Sequence, residues 1–451
     1  MDKNRNISNK KIAKIGIENY KSYPEYKSLE IKNLTVLAGT NSSGKSSIFQ
    51  LLLLLKQTLE NSFDPGPILL DGPHVGFTRI DQMISNIDKG QKKNGFSIEI
   101  ITEDGISYRI NFKKTASEIV IESINYKDSI RKITLKPNWS HSTICNKNSF
   151  LNTFYKNIIS REEIDFDTLT EEQKNRASLR VRRNRCFLEL DNFDIKQKRG
   201  DYISYNIFNA RQIENLITSI IHVPALRGNP KRLYPKTAIE SRFPGTFENY
   251  VASIITYWNN NNKEELKDLI SALSLLELSK SIEAVEWEDI FTEINVSLSS
   301  EKEDRDTITV SIADVGFGVS QTLPVLVALI AASEGQLVYI EQPEIHLHPL
   351  AQYKLAEIIA NAAKRGVKVV IETHSDILIL GIQTCVAEGK IDRNCVILHW
   401  FERDESGVTK IFSSDINVDG SYNPKTWPAN FSLTSLRAKS KFLDAKEKYR
   451  V

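Results

Sequence analysis

Cysteine is scarce in this chain: four residues in 451, at Cys145, Cys186, Cys385 and Cys395. No two of them form a Cys-x-x-Cys pair, so neither a zinc framework nor a disulfide-stapled secreted fold is expected. A reducing cytoplasm suits such a chain. An excess of one charge is also missing. Lys and Arg total 59 against 57 Asp and Glu, a net charge of +2, so any grip on nucleic acid must come from a local patch. Long apolar runs are absent too. The run Leu51–Leu55 is soon broken by Lys56 and Gln57, and Met1 to Lys11 is polar with no signal-peptide core. No membrane contact is expected. Internal repeats are absent, and no heptads persist through residues 125–310, which excludes a long coiled-coil arm. What is present is ordinary for a globular protein: 41% hydrophobic and 26% charged residues. The length suits two or three domains, or one large head with an insertion.

The most informative stretch is Gly39-Thr40-Asn41-Ser42-Ser43-Gly44-Lys45-Ser46-Ser47. It has the G-x-x-x-x-G-K-S spacing of a phosphate-binding loop. Leu34 to Ala38 before it reads as a buried strand, and Ile48 to Leu55 after it as a buried helix. That context is what the motif requires. Glycines let backbone amides turn inward around phosphates, and the helix start adds its positive dipole end. Lys45 would reach the β- and γ-phosphates, and the Ser46 hydroxyl would ligate Mg²⁺.

Along the chain, Lys11 to Ala38 reads as two strands with a turn at Asn19-Tyr20-Lys21-Ser22. Asp64-Pro65-Gly66-Pro67 breaks the helix after the loop. Phe96 to Ile121 alternates apolar and polar residues, as an antiparallel meander does. From Ser129 to Ile213 the pattern weakens into a charge-rich insertion, acidic over Arg161–Asn175 and basic over Arg180-Val181-Arg182-Arg183-Asn184-Arg185. The basic run suits a phosphate backbone, but the favoured reading is a solvated face. Phe247–Asn259 and Lys263–Leu276 read as helices, and Val285–Val310 as strands.

Asp314-Val315-Gly316-Phe317-Gly318-Val319-Ser320-Gln321 is a glycine-rich loop that opens a helix, with Pro324 near the helix start. Leu337–Ile340 reads as a buried strand ending in Glu341-Gln342-Pro343-Glu344. An acidic residue there is placed to hold Mg²⁺, usually through water. Ile345-His346-Leu347-His348-Pro349 follows, then a helix over Ala351–Arg365. The strand Val367–Ile371 comes next, ending in Thr373-His374-Ser375-Asp376. A histidine there can reach a γ-phosphate or orient the attacking water. Asp404, Glu405, Asp415 and Asp419 lie among turn signals and read as turn residues rather than metal ligands.

In this order the motifs resemble those of ABC-type ATPase heads of the SMC, RecF and OLD group. Asn19-Tyr20-Lys21-Ser22, the loop with Asn41-Ser42-Ser43, Gly316 to Gln321, Glu341 to Pro349 and Thr373-His374-Ser375 carry the resemblance. Within the group the chain is similar to prokaryotic AAA-family ATPases of phage-defence operons, such as the ATPase subunits of PARIS- or Septu-like systems. Pro224 to Tyr234 and Trp427-Pro428-Ala429-Asn430-Phe431 carry that closer likeness. The match spans residues 10–125 and 215–435 and fails across the insertion.

The resemblance implies an α/β P-loop NTPase head with an N-terminal antiparallel β-subdomain and a mixed, α-rich insertion. The expected division is 1–125, an N-terminal lobe; 126–215, the insertion; 216–435, a C-terminal lobe; and 436–451, a polar tail. It implies ATP and Mg²⁺ as cofactors, with Gly39, Asn41, Ser43, Gly44, Lys45, Ser46 and Ser47 as the Walker A contacts. Lys21 would touch the nucleotide. Gly316, Gly318, Ser320 and Gln321 would form a signature loop reaching ATP bound to a second copy, and His346 to His348 would cross the dimer interface. Ser46 and Glu341 would bind Mg²⁺, with Gln82 as a sensing glutamine. His374 would be the switch histidine.

The chain departs from many relatives at Gln342, where a second acid often serves as general base. An amide cannot accept that proton. Glu344 or His374 takes the role, or hydrolysis is slow and ATP mainly locks a dimer. The resemblance therefore implies a slow, nucleotide-gated homodimer or higher homo-oligomer in antiviral defence. It would answer a phage trigger and control a separate effector such as a nuclease, since no Toprim nuclease is recognisable after His374. The alternatives are a RecF-type repair ATPase that binds DNA directly, and a nucleotide-binding module without turnover.

Overall fold

A computed structural model describes residues 10–87, 94–161, 170–191, 193–196, 202–205, 208–240, 242–297, 309–422 and 440–445. Trp427 to Phe431 lie outside the described residues. The chain divides into two compact units. One comprises Ile31–Ser46 with Ser219–Val451, the other Asn4–Glu30 with Ser47–Thr218.

The first unit is built on a six-stranded sheet in the order Ile221–Val223, Leu337–Glu341, Lys368–Glu372, Leu34–Gly39, Val396–Arg403, Thr409–Ser414. The first five strands are parallel and the last is an antiparallel edge. Parallel strands are covered on both faces, so they read as unbroken apolar runs. All six residues of Leu34–Gly39 are buried, as are Leu337 to Ile340. Val36, Val338, Ile340, Val369, Ile371 and Leu398 belong to one core with the helices Glu248–Asn261, Phe317–Ala331, Pro349–Lys364 and Asp376–Ala387. Each such side chain contributes about 1.5–3 kcal/mol by leaving water. His348 caps the Pro349–Lys364 helix through Leu350 N, and Pro349 occupies a first-turn position that needs no amide donor.

The register decides what meets at the end of the sheet. Glu341 pairs with Glu372 across adjacent strands, and Glu372 pairs with Leu37 of the strand that feeds the phosphate loop. The loops after Gly39, Glu341 and Glu372 therefore leave from one end of the sheet. That carboxyl end is where open parallel sheets hold ligands.

The second unit carries a six-stranded antiparallel sheet, in the order Lys27–Glu30, Ile12–Glu18, Gly95–Thr102, Ser107–Lys114, Ile119–Lys127, Lys132–Leu135. The expected meander is there. Alternation puts Phe96, Ile98, Ile110 and Phe112 inside, and Phe96 packs on Phe112 with ring centroids 5.2 Å apart. The charge-rich segment mixes helices Ser149–Arg161 and Glu171–Arg176 with short hairpins.

Two expectations are corrected. Lys11 to Ala38 holds three strands, not two. The alternating Ile12–Glu18 and Lys27–Glu30 pair in the antiparallel sheet, while the uniformly buried Leu34–Gly39 joins the parallel one. Pro324 is not near a helix start. The helix begins at Phe317 behind Gly316, so Pro324 is its eighth residue. Proline has no N–H, so the Ser320 carbonyl lacks its usual partner four residues on.

Candidate functional site

The phosphate loop is held from several sides. Gly39 has φ +150°, and a Cβ there would stand 2.3 Å from the Phe401 carbonyl oxygen, so only glycine fits against the neighbouring strand. Gly44 and Ser42 have φ +97° and +58°, which turns the loop tightly before the helix Lys45–Glu60. Thr409 Oγ1 donates to the Ser43 carbonyl at 2.7 Å and fixes the loop to the sheet edge. The Ser43 hydroxyl is buried without a partner. Lys45 is buried, and its Nζ donates to the Gly39 and Thr40 carbonyls at 3.2 and 2.9 Å. Burial lowers its pKa, against the pull of Glu372. Asn41 is exposed, and Ser47 is buried on the helix.

Ser46 is hydrogen-bonded to Glu372 rather than to Glu341. Its hydroxyl donates to Glu372 Oε1 at 2.9 Å, and the Tyr339 hydroxyl donates to Glu372 Oε2 at 2.9 Å. Glu341 instead meets His222 Nε2 at 3.3 Å and accepts from Ala225 N at 3.3 Å. His222 stacks on Tyr339 with centroids 5.4 Å apart. Burial raises the pKa of Glu372, and Glu341 adds to this, while Ser46, Lys45 and Tyr339 oppose it. For Glu341 burial also pushes upward, but His222 and the Ala225 amide outweigh it and the pKa is lowered.

Glu344 is also buried. Its Oε1 accepts from Thr373 Oγ1 at 2.8 Å and from His374 N at 3.0 Å, and its Oε2 has no partner. This clasps the turn after Glu341 to the turn carrying His374. Burial and Lys45 lower the His374 pKa, while a hydrogen bond with the Gly39 backbone raises it. His374 therefore stands beside the phosphate loop.

The glycine-rich element is the first turn of a helix rather than a loop. Phe317 is 53% exposed and lies against His346, with ring centroids 5.7 Å apart. His346 has φ +65°. Ser320 is half-buried, and its hydroxyl donates to the Phe317 carbonyl at 3.3 Å. Gln321 differs from the expectation of an outward contact. It is buried, and its amide donates to the Gly228 carbonyl at 3.1 Å. Beside it, Arg227 donates to the carbonyls of Gln321 at 3.0 Å, Glu341 at 2.9 Å and Gln342 at 3.3 Å. One buried guanidinium thus ties the helix start to the turn after Glu341.

Lys21 and Gln82 belong to the other unit. Lys21 donates to Gln50 and lies over the Phe77 ring at 4.7 Å, and burial lowers its pKa to about 8. Gln82 Oε1 already accepts from the amides of Thr78 and Arg79 at 3.1 and 3.2 Å, closing its own turn. The basic run is likewise engaged. Arg180 bonds the Asn175 carbonyl, Arg182 pairs with Glu189 and Asp191, Arg183 with Asp64, and Arg185 bonds the Leu59 carbonyl. Asp404 and Asp419 cap their own turns through Ser406 and Ser421, and Asp415 pairs with Lys32. Among the described residues no group of three His, Cys, Asp or Glu side chains is arranged to hold a metal. No helix among them is long and apolar enough to cross a membrane.

The residues that sequence reasoning missed are His222, Arg227, Tyr339, Glu372 and Thr409. Only Glu372 carried a usable signal. It is an acid ending a buried strand, the same criterion that singled out Glu341.

The donor set suits magnesium and a nucleotide. A serine hydroxyl and two carboxylates are hard oxygen ligands. Neither Glu341 nor Glu372 makes a direct salt bridge with a Lys or Arg side chain among the described residues, so the charge of the pair is only partly offset, by Lys45 and Arg227 at a distance.

Comparison with known proteins gives three findings. A family described as AAA ATPase domain matches residues 11–379. No curated protein sequence matches the chain. Among solved structures, the chain is similar to an Smc head bound to the C-terminal winged-helix domain of ScpA, with 12% identity, 90% of this chain and 98% of that chain covered, and a TM-score of 0.48. It is also similar to the SMC head domain from Thermotoga maritima, with 12% identity, 89% and 98% covered, and a TM-score of 0.40. A third is an Smc head with an extended coiled coil bound to the C-terminal domain of ScpA, derived from Pyrococcus furiosus, with 13% identity, 90% and 96% covered, and a TM-score of 0.44.

Proposed function

The chain belongs to the AAA ATPase domain family, and we propose that it is a slow ATPase whose nucleotide state gates a homodimer or higher homo-oligomer. In this reading the oligomer is a sensor or scaffold in phage defence and controls a separate effector such as a nuclease.

The single observation that carries this reading is the phosphate loop at the carboxyl end of the sheet, with Ser46 on Glu372 and Gln342 following Glu341. Ser46, Glu341 and Glu372 would hold magnesium, and the amides of Gly39 to Lys45 with the Lys45 amine would hold the phosphates. The ion would offset charge on the phosphates and leave in-line attack by water to positioning and electrostatics.

The protein's own residues account for slow turnover. Gln342 has no proton affinity to offer water. Glu344, the nearest alternative, spends one oxygen on Thr373 and His374. Burial and Lys45 lower the His374 pKa, which favours the neutral ring; with its N–H bonded to the Gly39 backbone, the other ring nitrogen would offer a lone pair to water.

The first turn of the Phe317–Ala331 helix supports association. Phe317 is exposed on His346, an apolar surface at a helix N-terminus that a second copy's nucleotide would complete. The defence role is supported by the resemblance of Pro224 to Tyr234, whose Arg227 reaches both the helix start and the Gln342 turn. Direct DNA binding gains less support, because Arg180, Arg182, Arg183 and Arg185 all have partners within the chain.

The test combines light scattering with phosphate release. ATP with magnesium should convert monomer to dimer, with turnover below the ~1 per second that ordinary enzymes exceed. Gln342→Glu should raise that rate. A fast wild type that gains nothing from the change would defeat the slow-clock reading, and an oligomeric state indifferent to ATP would defeat the gate.

A further inference from the structure

Glu372 lies outside every motif that signalled nucleotide chemistry. It ends the strand Lys368–Glu372, is 6% exposed, and faces three polar groups from two other elements. Ser46 comes from the phosphate loop, Tyr339 from the neighbouring strand, and Glu341 from the same register position on that strand.

We propose that Glu372 is the positioning carboxylate of the magnesium seat: it fixes the Ser46 hydroxyl and supplies, beside Glu341, the second negative charge that the cation neutralises. This rests on the nucleotide-binding reading above and deepens it, giving Glu372 the orientation of Ser46 as well as a charge beside the ion.

The argument begins with the hydroxyl. A serine hydroxyl has one hydrogen and two lone pairs. With its hydrogen committed to Glu372 Oε1 and the Tyr339 hydroxyl also in contact, Ser46 keeps a lone pair directed away from the carboxylate for a cation. The Tyr339 hydroxyl holds the other carboxylate oxygen, so the glutamate cannot swing to a different rotamer without losing a bond at each end. Tyr339 is itself fixed by stacking on His222, and His222 bonds Glu341. The two acids are thus tied through Glu341–His222, the His222–Tyr339 ring stack, and Tyr339–Glu372–Ser46. Outer partners of this kind orient metal ligands and set their affinity.

Charge points the same way. Lys45 acts on Glu372 through its charge, but its hydrogens go to the Gly39 and Thr40 carbonyls, so no direct ion pair forms between them. Two buried carboxylates side by side without an ion pair are costly. A divalent cation between Ser46 and the strand ends would remove that cost.

The experiment uses the full chain, a fluorescent ATP analogue and magnesium chloride. Analogue binding is titrated first in EDTA and then against rising magnesium, for wild type, Glu372→Gln and Tyr339→Phe. Glu372→Gln keeps the shape and removes the charge. Its affinity in EDTA should match wild type, while its magnesium midpoint should rise by about 10–100-fold, the usual loss when a supporting partner of a metal ligand is removed. Tyr339→Phe keeps the carboxylate and frees it to turn, so it should shift the midpoint the same way by less. A merely structural role would weaken binding equally with and without magnesium. That uniform loss, or magnesium midpoints that superimpose on wild type in both variants, would overturn the proposal. If Glu372→Gln fails to fold by thermal melting, Tyr339→Phe alone decides. Wild type that binds no analogue in either condition would instead defeat the nucleotide reading itself.

Discussion

Replacing Arg227 by methionine isolates the tie between the Phe317–Ala331 helix and the turn after Glu341. Methionine keeps most of the length and removes the charge and its forked donors. Three carbonyls, those of Gln321, Glu341 and Gln342, lose donors at 3.0, 2.9 and 3.3 Å. Burial lowers the Arg227 pKa to about 10, with Glu248, Glu344 and Glu341 holding it up. The guanidinium is therefore charged at pH 7, and removing it leaves those acids facing one another. Stripping one partner from a buried charged cluster costs about 3–5 kcal/mol. For a unit of this size each kcal/mol moves the melting temperature by about 2–4 °C, so the expected fall is about 6–20 °C. Differential scanning calorimetry without nucleotide reads it. Arg227→Lys keeps the charge but loses the fork, and should fall about midway. Arg183→Ala serves as a contrast, since its pair with Asp64 is exposed and worth at most about 1 kcal/mol. A melting temperature for Arg227→Met as close to wild type as that of Arg183→Ala would refute the reasoning and leave Arg227 as filler.

Thr409→Val preserves shape but leaves the Ser43 carbonyl without its 2.7 Å donor, so it should cost about 1–3 kcal/mol and speed hydrogen exchange of the phosphate-loop amides. Gly39→Ala drives a methyl group into the Phe401 carbonyl, and should abolish binding of a fluorescent ATP analogue in an equilibrium titration while the far-ultraviolet circular dichroism is retained. Lys21→Met tests pH linkage. Because burial lowers the Lys21 pKa to about 8, the unfolded chain holds more protons than the folded one between pH 8 and its ordinary value of 10.5. Stability of wild type should therefore rise with pH across that window relative to the methionine variant, in paired denaturant melts. Parallel curves would show that the amine is not buried as a charge.

Much of this was legible because parallel strands announce themselves. Leu34–Gly39 and Leu337–Glu341 are apolar on both faces, so their ends, and the chemistry placed there, could be marked on the sequence. Glu372 obeyed the same rule but was overshadowed by Thr373 and His374, whose motif begins one residue later. Arg227 and Thr409 left no local trace. Their partners lie 94 and 366 residues away, and no window of sequence contains both ends of such a bond. Gln321 and Pro324 misled for a related reason. Glycines at 316 and 318 signal a loop, yet the helix starts at Phe317 and draws both residues inside, because the apolar stretch behind them is buried all round.

The Leu34–Gly39 strand has a further consequence for how the protein is made. It sits between Lys368–Glu372 and Val396–Arg403, neither of which exists when it leaves the ribosome. At about 5–20 residues per second, its first sheet neighbour is some 16–70 seconds behind it. Through that interval a strand buried in the finished fold must wait unpaired beside a growing chain, while the antiparallel strands from Gly95 to Lys127 can pair with one another as they emerge. The nucleotide cradle is thus completed late, although its loop is among the first parts to be synthesised. A nascent or truncated chain ending before Val396 lacks the strand against which Gly39 closes, and so carries the motif without the site.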